Sequence, residues 1–188
     1  MCKQRIAGAG FSSKGGLWIP RAYNNFAKGA LVFVIGGFND KRMVNDPVKL
    51  DRLFTAVDSH VEWYLEFGGP LMFAELADGR GNDVDVLTNT FHDIAANEEA
   101  VFVQRLEWPR RGWADAYHLC HKALTKWLEH VCDVAGSIAL QKGCNKVLFV
   151  TDSTFQAHDY DGEIYVTDQD LDNMMVDAML GSLRGFGL

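Results

Sequence analysis

The sequence predicts an α+β protein: an antiparallel or mixed sheet packed by two main helices, with an extended N-terminal arm and a short C-terminal helix. Three observations lead there. Apolar residues recur at spacings of three and four in two long segments, about 46–68 and 112–140. Between those segments, three short apolar or alternating runs follow one another without a helical period. Strands clustered between helices, rather than alternating with them, argue against doubly wound βαβ units. The 188 residues amount to one domain's worth of chain, here an arm over residues 1–30 and a single domain over residues 31–188.

The arm is punctuated by Gly8, Gly10, Gly15, Gly16, Gly29 and Pro20 and keeps no sustained period. It nevertheless carries Phe11, Leu17, Trp18, Ile19, Tyr23 and Phe26, more large apolar side chains than a solvated linker needs. Leu31 to Ile35 reads as a buried strand closed by Gly36 and Gly37. Asp46 is placed to cap the first helix, Pro47 suits its first position and Gly68 supplies its stop. Leu71–Ala77, an alternating run over Val84–Phe91 and Ala100–Trp108 then read as three strands, the last ended by Pro109. The second helix carries one stripe through Ala116, Cys120, Ala123, Leu124, Trp127, Val131, Val134 and Ile138, and Gly143 stops it. Lys146–Thr151 and Glu163–Thr167 read as a paired hairpin, and Leu171, Met174, Met175, Ala178 and Met179 mark one face of a last helix.

Composition excludes several classes. Hydrophobic residues make up 48% and charged residues 23%, which is a packed chain and not a disordered one. No apolar stretch approaches 18 residues, so no transmembrane helix is expected, and the first residues lack the apolar core of a signal peptide. Of four cysteines, Cys120 and Cys132 stand about 18 Å apart along one expected helix, too far to bridge, so free thiols in a reducing compartment are expected. The net charge of −7 is polarised: residues 1–50 carry eight cations against two acids, whereas 51–188 carry ten against 23. Five cations over the first 39 residues is too thin a density to argue for nucleic acid.

The motifs that could carry chemistry are incomplete. Gly8-Ala9-Gly10 and Lys14-Gly15-Gly16 lack the spacing of a phosphate loop. The doublets His92-Asp93 and His158-Asp159 fall near expected strand ends or loops, where ordinary surface histidines belong. His118 and His121 share a helix face but want two further zinc ligands. The Asp159–Ile164 stretch lacks the first ligand of a calcium loop and is explained by a hairpin turn at Asp161-Gly162. No catalytic residue, cofactor or metal ligand is therefore assigned.

The strand Val101–Trp108, the break Pro109-Arg110-Arg111-Gly112 and the helix from Trp113 to Leu124 together resemble the strand, aromatic break and Ala/Leu-rich helix of small tail-terminator and tail-completion proteins of tailed phages. The resemblance spans roughly residues 46–167 in element order. It implies a non-enzymatic structural subunit of a large symmetric complex, a neck or tail component assembled in the host cytoplasm and retained in the virion. The partners would be further copies of the chain, in a ring, and neighbouring structural proteins. The basic, aromatic arm and the methionine-rich helix would make those contacts, with Trp18, Tyr23, Phe26, Met174, Met175 and Met179 as interface candidates. The alternative from charge alone is a small acidic cytosolic protein that binds and inhibits or adapts a host factor. A hydrolase built from distant residues is the third reading.

Overall fold

The computed structural model describes residues 10–12, 17–19, 24–76, 85–109, 111–112 and 119–151. Four strands form one sheet: β1 (Leu31–Ile35), β2 (Leu71–Ala74), β3 (Val101–Gln104) and β4 (Val147–Thr151). Their spatial order is β3-β2-β1-β4, and every pair is parallel, with Val32 opposite Leu71, Leu71 opposite Val101 and Leu31 opposite Val147. The helices are a single turn α1 (Asn24–Ala27), a 3₁₀ segment Phe38–Met43, then α2 (Pro47–Leu65), α3 (Asp85–Asn97) and α4 (His121–Gln141).

This corrects the expected fold class. The sheet is parallel and strands alternate with helices, an α/β arrangement, because residues 85–91 of the run expected to be the strand Val84–Phe91 lie in helix α3 instead. Val84, Val86, Thr88 and Thr90 do alternate, but Leu87, Phe91, Ile94 and Ala95 recur at helical spacing and are the residues that pack into the core. The threonines that suggested a strand are accommodated locally. Thr90 Oγ1 donates to the Val86 carbonyl one turn back, at 2.8 Å, and Thr88 Oγ1 accepts from the Leu76 N–H at 3.2 Å. With a helix between β2 and β3, each of β1, β2 and β3 is followed by a crossover to the next strand, which a parallel pair requires.

The crossovers explain the layers. The chain steps from β1 to β2 to β3 in one direction, then returns past both to place β4 on the far side of β1. Right-handed connections running in opposite directions put their helices on opposite faces. Accordingly α2 and α3 share one core with Val32, Val34, Leu71, Phe73 and Val101. α4 packs Leu124, Trp127, Leu128, Val131, Ala135 and Ala139 on the other face, against Leu31, Phe33, Ile35 and Met72. The central strand is covered on both sides, which is why it reads as the unbroken apolar run LVFVI.

Several local expectations match the structure. Asp46 caps α2 by accepting from the Val48 and Lys49 N–H groups at 3.1 and 3.2 Å, with Pro47 next in line. α4 begins later than its apolar stripe suggested, since Cys120 is an extended N-cap residue and not part of the stripe. Gly69 is required by close approach: a Cβ there would stand 1.9 Å from the Ala30 carbonyl oxygen at the foot of β1. Cys120, Cys132 and Cys144 are free thiols. The Glu163–Thr167 strand and the methionine-rich helix lie outside the described residues. Among the described residues, no helix is long and apolar enough to cross a membrane.

Candidate functional site at the carboxyl edge of the sheet

In an all-parallel sheet the strands end along one edge, and the loops that follow them share one surface. Here those loops begin at Gly36 after β1, Glu75 after β2 and Arg105 after β3. Gly37 has φ +106°, and a Cβ there would press on the Phe11 ring at 3.0 Å and on Leu87 at 3.3 Å. That left-handed residue turns the chain directly into the 3₁₀ segment and sets Phe38 over the edge.

Trp108 joins the two layers there. Its indole N–H donates to the Glu75 carbonyl at 3.3 Å. Its ring stacks on Trp127 of α4, with centroids 4.3 Å apart, and stands edge-on to Phe38 at 5.7 Å. One residue from the β3 exit thus fixes the exits of β1 and β2 and the first turns of α4.

Beside this aromatic brace lies a polar cluster drawn from three elements. The Glu75 N–H continues the β2–β3 ladder by donating to the Gln104 carbonyl at 3.0 Å, which orients its side chain at the edge. The Glu75 carboxylate accepts from His92 Nε2 of α3 at 3.2 Å and lies 3.9 Å from Arg105 Nε. Because a carboxylate only accepts, Nε2 carries a proton. Arg105 is 88% exposed, so this pair contributes at most about 1 kcal/mol to stability. The arrangement can bind an anionic group at the exposed guanidinium.

A second constellation fastens the N-terminal segment to the body. Asp40, 2% exposed, accepts from the Phe11 N–H at 2.8 Å, from the Ser12 N–H at 3.2 Å and from the Ser12 hydroxyl. Gly10 passes so close that a Cβ would lie 2.6 Å from the Asp40 carboxylate. The glycine-rich arm does gather backbone amides around an anion, but the anion is the chain's own Asp40. Further along, the Leu17 N–H donates to His60 Nε2 at 3.0 Å and the Leu17 carbonyl accepts from the Tyr64 hydroxyl at 2.5 Å. Phe11, Leu17 and Ile19 are buried in the α2–α3 core. Burial pushes the Tyr64 phenol well above its ordinary range and the His60 imidazole below its own.

Comparison with protein-family models, curated proteins and solved structures gives no match.

Of the six interface candidates, Trp18 is placed at the surface, 44% exposed. It stacks on His60 at 3.8 Å and meets Trp63 edge-on at 6.0 Å. Phe26 falls in α1, with its side chain outside the described set, as are Tyr23, Met174, Met175 and Met179. His92 and Asp93 sit on α3 and not at a strand end, because of the same strand-for-helix misreading. His118, His158 and Asp159–Ile164 lie outside the described residues. Among the described residues no group of three His, Cys, Asp or Glu could hold a metal ion. Sequence reasoning missed the Glu75–His92–Arg105 cluster altogether. The signal that could have found it is the helical spacing of Leu87, Phe91 and Ile94, which puts α3 between β2 and β3 and brings His92 to the edge.

Proposed function

We propose that this chain binds a small anionic ligand, a phosphate or carboxylate, at the carboxyl edge of its sheet. The observation that supports the reading is the convergence of Glu75, His92 and Arg105, from a strand exit, a helix and a second strand exit, onto one surface. Open parallel sheets generally bind ligands outside the carboxyl ends of their strands, an analogy at the level of fold. Arg105 supplies the charge, and Glu75 lies between the guanidinium and the His92 imidazole, 3.9 Å from one and 3.2 Å from the other. The test is an NMR titration of the full chain with inorganic phosphate and, separately, acetate. Saturable shifts of the Arg105 Nε–H and His92 ring signals, lost in Arg105→Ala, are expected. Linear, unsaturating shifts would refute the site.

A second reading, the structural subunit of a phage neck or tail, is favoured by Trp18. Leu17 is hydrogen-bonded on both sides of its peptide and Ile19 is buried, so the intervening indole is held out on an ordered backbone. A preorganised tryptophan is the kind of residue that dominates protein interfaces. Native mass spectrometry tests it: a closed multimer that Trp18→Ala breaks down supports the subunit reading, and a monomer rejects it.

A further inference from the structure

We propose that Leu17–Ile19 form a pH-gated strap, released from helix α2 when His60 takes up a proton. The tautomer follows from the partners. His60 Nδ1 lies 2.6 Å from the Ala56 carbonyl, which can only accept, so Nδ1 carries the hydrogen. Nε2 is then a bare lone pair, and it accepts the Leu17 N–H at 3.0 Å. Neutral imidazole satisfies both contacts. An imidazolium cannot: its Nε2–H would point at the Leu17 N–H, donor against donor, in a site where His60 is 1% exposed. Trp18 stacked on one side and Phe11 edge-on at 5.2 Å leave the ring little room to turn toward water. The same proton that breaks the Leu17 bond therefore favours lifting Trp18 and its neighbours away.

The surroundings bias the balance in a definite direction. From the 3₁₀ segment the Asp40 carboxylate favours the charged imidazole, and the Ala56 carbonyl on α2 does so as well. Desolvation opposes them and is the largest influence, so the docked imidazole has a pKa below 6.5. Tyr64, one turn along α2 with centroids 6.0 Å away, stays neutral in this range because burial raises its phenol. Phe11, Leu17 and Trp18 also lie against the ring, and none of them titrates. A group whose docked pKa is lowered takes up protons preferentially in the released state. The strap is thus fully held above pH 6.5 and loosens as the pH falls from 6.5 toward the docked pKa. If the released imidazole titrates near 6.5, the opening equilibrium rises by at most about tenfold between pH 8 and pH 5.5. This gate lies in the α2 layer, uses none of Glu75, His92 or Arg105, and stands independently of the ligand reading.

Amide hydrogen exchange on the full chain tests it. The protection of the Leu17 amide is compared with that of the Leu31 amide, which donates to the Lys146 carbonyl at 2.9 Å inside the sheet and serves as an internal reference. Between pH 8 and pH 5.5 the Leu17 protection factor is expected to fall severalfold, up to about tenfold, while that of Leu31 holds. A change at Leu17 of less than twofold, or a parallel fall at Leu31, overturns the proposal. His60→Gln, which keeps an acceptor and a donor without titrating, should flatten the Leu17 profile. A fall that persists in that variant also overturns it, and if the variant fails to fold the wild-type comparison decides alone.

Discussion

Replacing Asp40 by Asn isolates the electrostatics of its contacts with Phe11 and Ser12, because the two side chains have nearly the same volume and Gly10 packs against either alike. The carboxylate accepts three hydrogen bonds in a site only 2% exposed. The amide of Asn offers one acceptor and one donor, so one backbone N–H must face another N–H. The better orientation turns the NH₂ toward Ser12, whose hydroxyl can rotate to accept. The Phe11 N–H then keeps a neutral acceptor, and the Ser12 N–H loses its partner. An unsatisfied donor costs about 1–3 kcal/mol, and exchanging a charged acceptor for a neutral one costs about 1 kcal/mol more. The sum is about 2–4 kcal/mol, or a fall in Tm of roughly 5–15 °C for a chain of this size. Thermal and urea unfolding at pH 7.5 measure it. A Tm within 2 °C of wild type, with an unchanged urea slope, would show that Asp40 does not hold Phe11 and Ser12.

Gly69→Ala should cost about 1–3 kcal/mol in urea unfolding, since its methyl group meets the Ala30 carbonyl oxygen and β1 must shift to admit it. Asp46→Ala should lower the urea midpoint measurably through loss of the two α2 cap hydrogen bonds. Burial, assisted by the Asp133 charge, pushes the Cys132 thiol up to about 11. At pH 8 its thiolate fraction in the folded chain should be about a hundredfold below that of a thiol at 9, so its reaction with a disulfide reagent should run slower than for an exposed thiol, a difference that unfolding in urea removes.

Elements whose signals are local were legible in the sequence. The Asp46–Pro47 start of α2 and the apolar runs of β1, β2, β3 and β4 each depend on residues within a few positions. Helix α3 was not, because Val84 to Thr90 satisfies a strand's alternation while Leu87, Phe91 and Ile94 satisfy a helix, and only packing against β2 and β3 chooses between them. One misread element changed the fold class, since it removed the crossover that makes the sheet parallel. The N-terminal segment was half legible. Its surplus of Phe11, Leu17, Trp18 and Ile19 signalled packing against something, but the partners, Asp40, His60 and Tyr64, lie between 28 and 47 residues away. The polar cluster was hidden for the same reason: Glu75 and His92 are 17 residues apart and meet only once α3 is formed.

The position of β1 between β2 and β4 has a consequence for the chain as it is made. Leu31 pairs with Val147, so the central strand waits through 116 residues of synthesis for its second neighbour. At 5–20 residues per second, that is about 6–23 s. During that interval β2 can cover one edge of β1, while the other stays open, with Phe33 and Ile35 still lacking helix α4 above them. An open parallel edge beside an uncovered apolar face is a template for any passing strand, including one from another nascent chain. The fold is thus most vulnerable on the ribosome, and slowing translation between β3 and β4 should raise its yield of aggregate before it alters anything in the finished molecule.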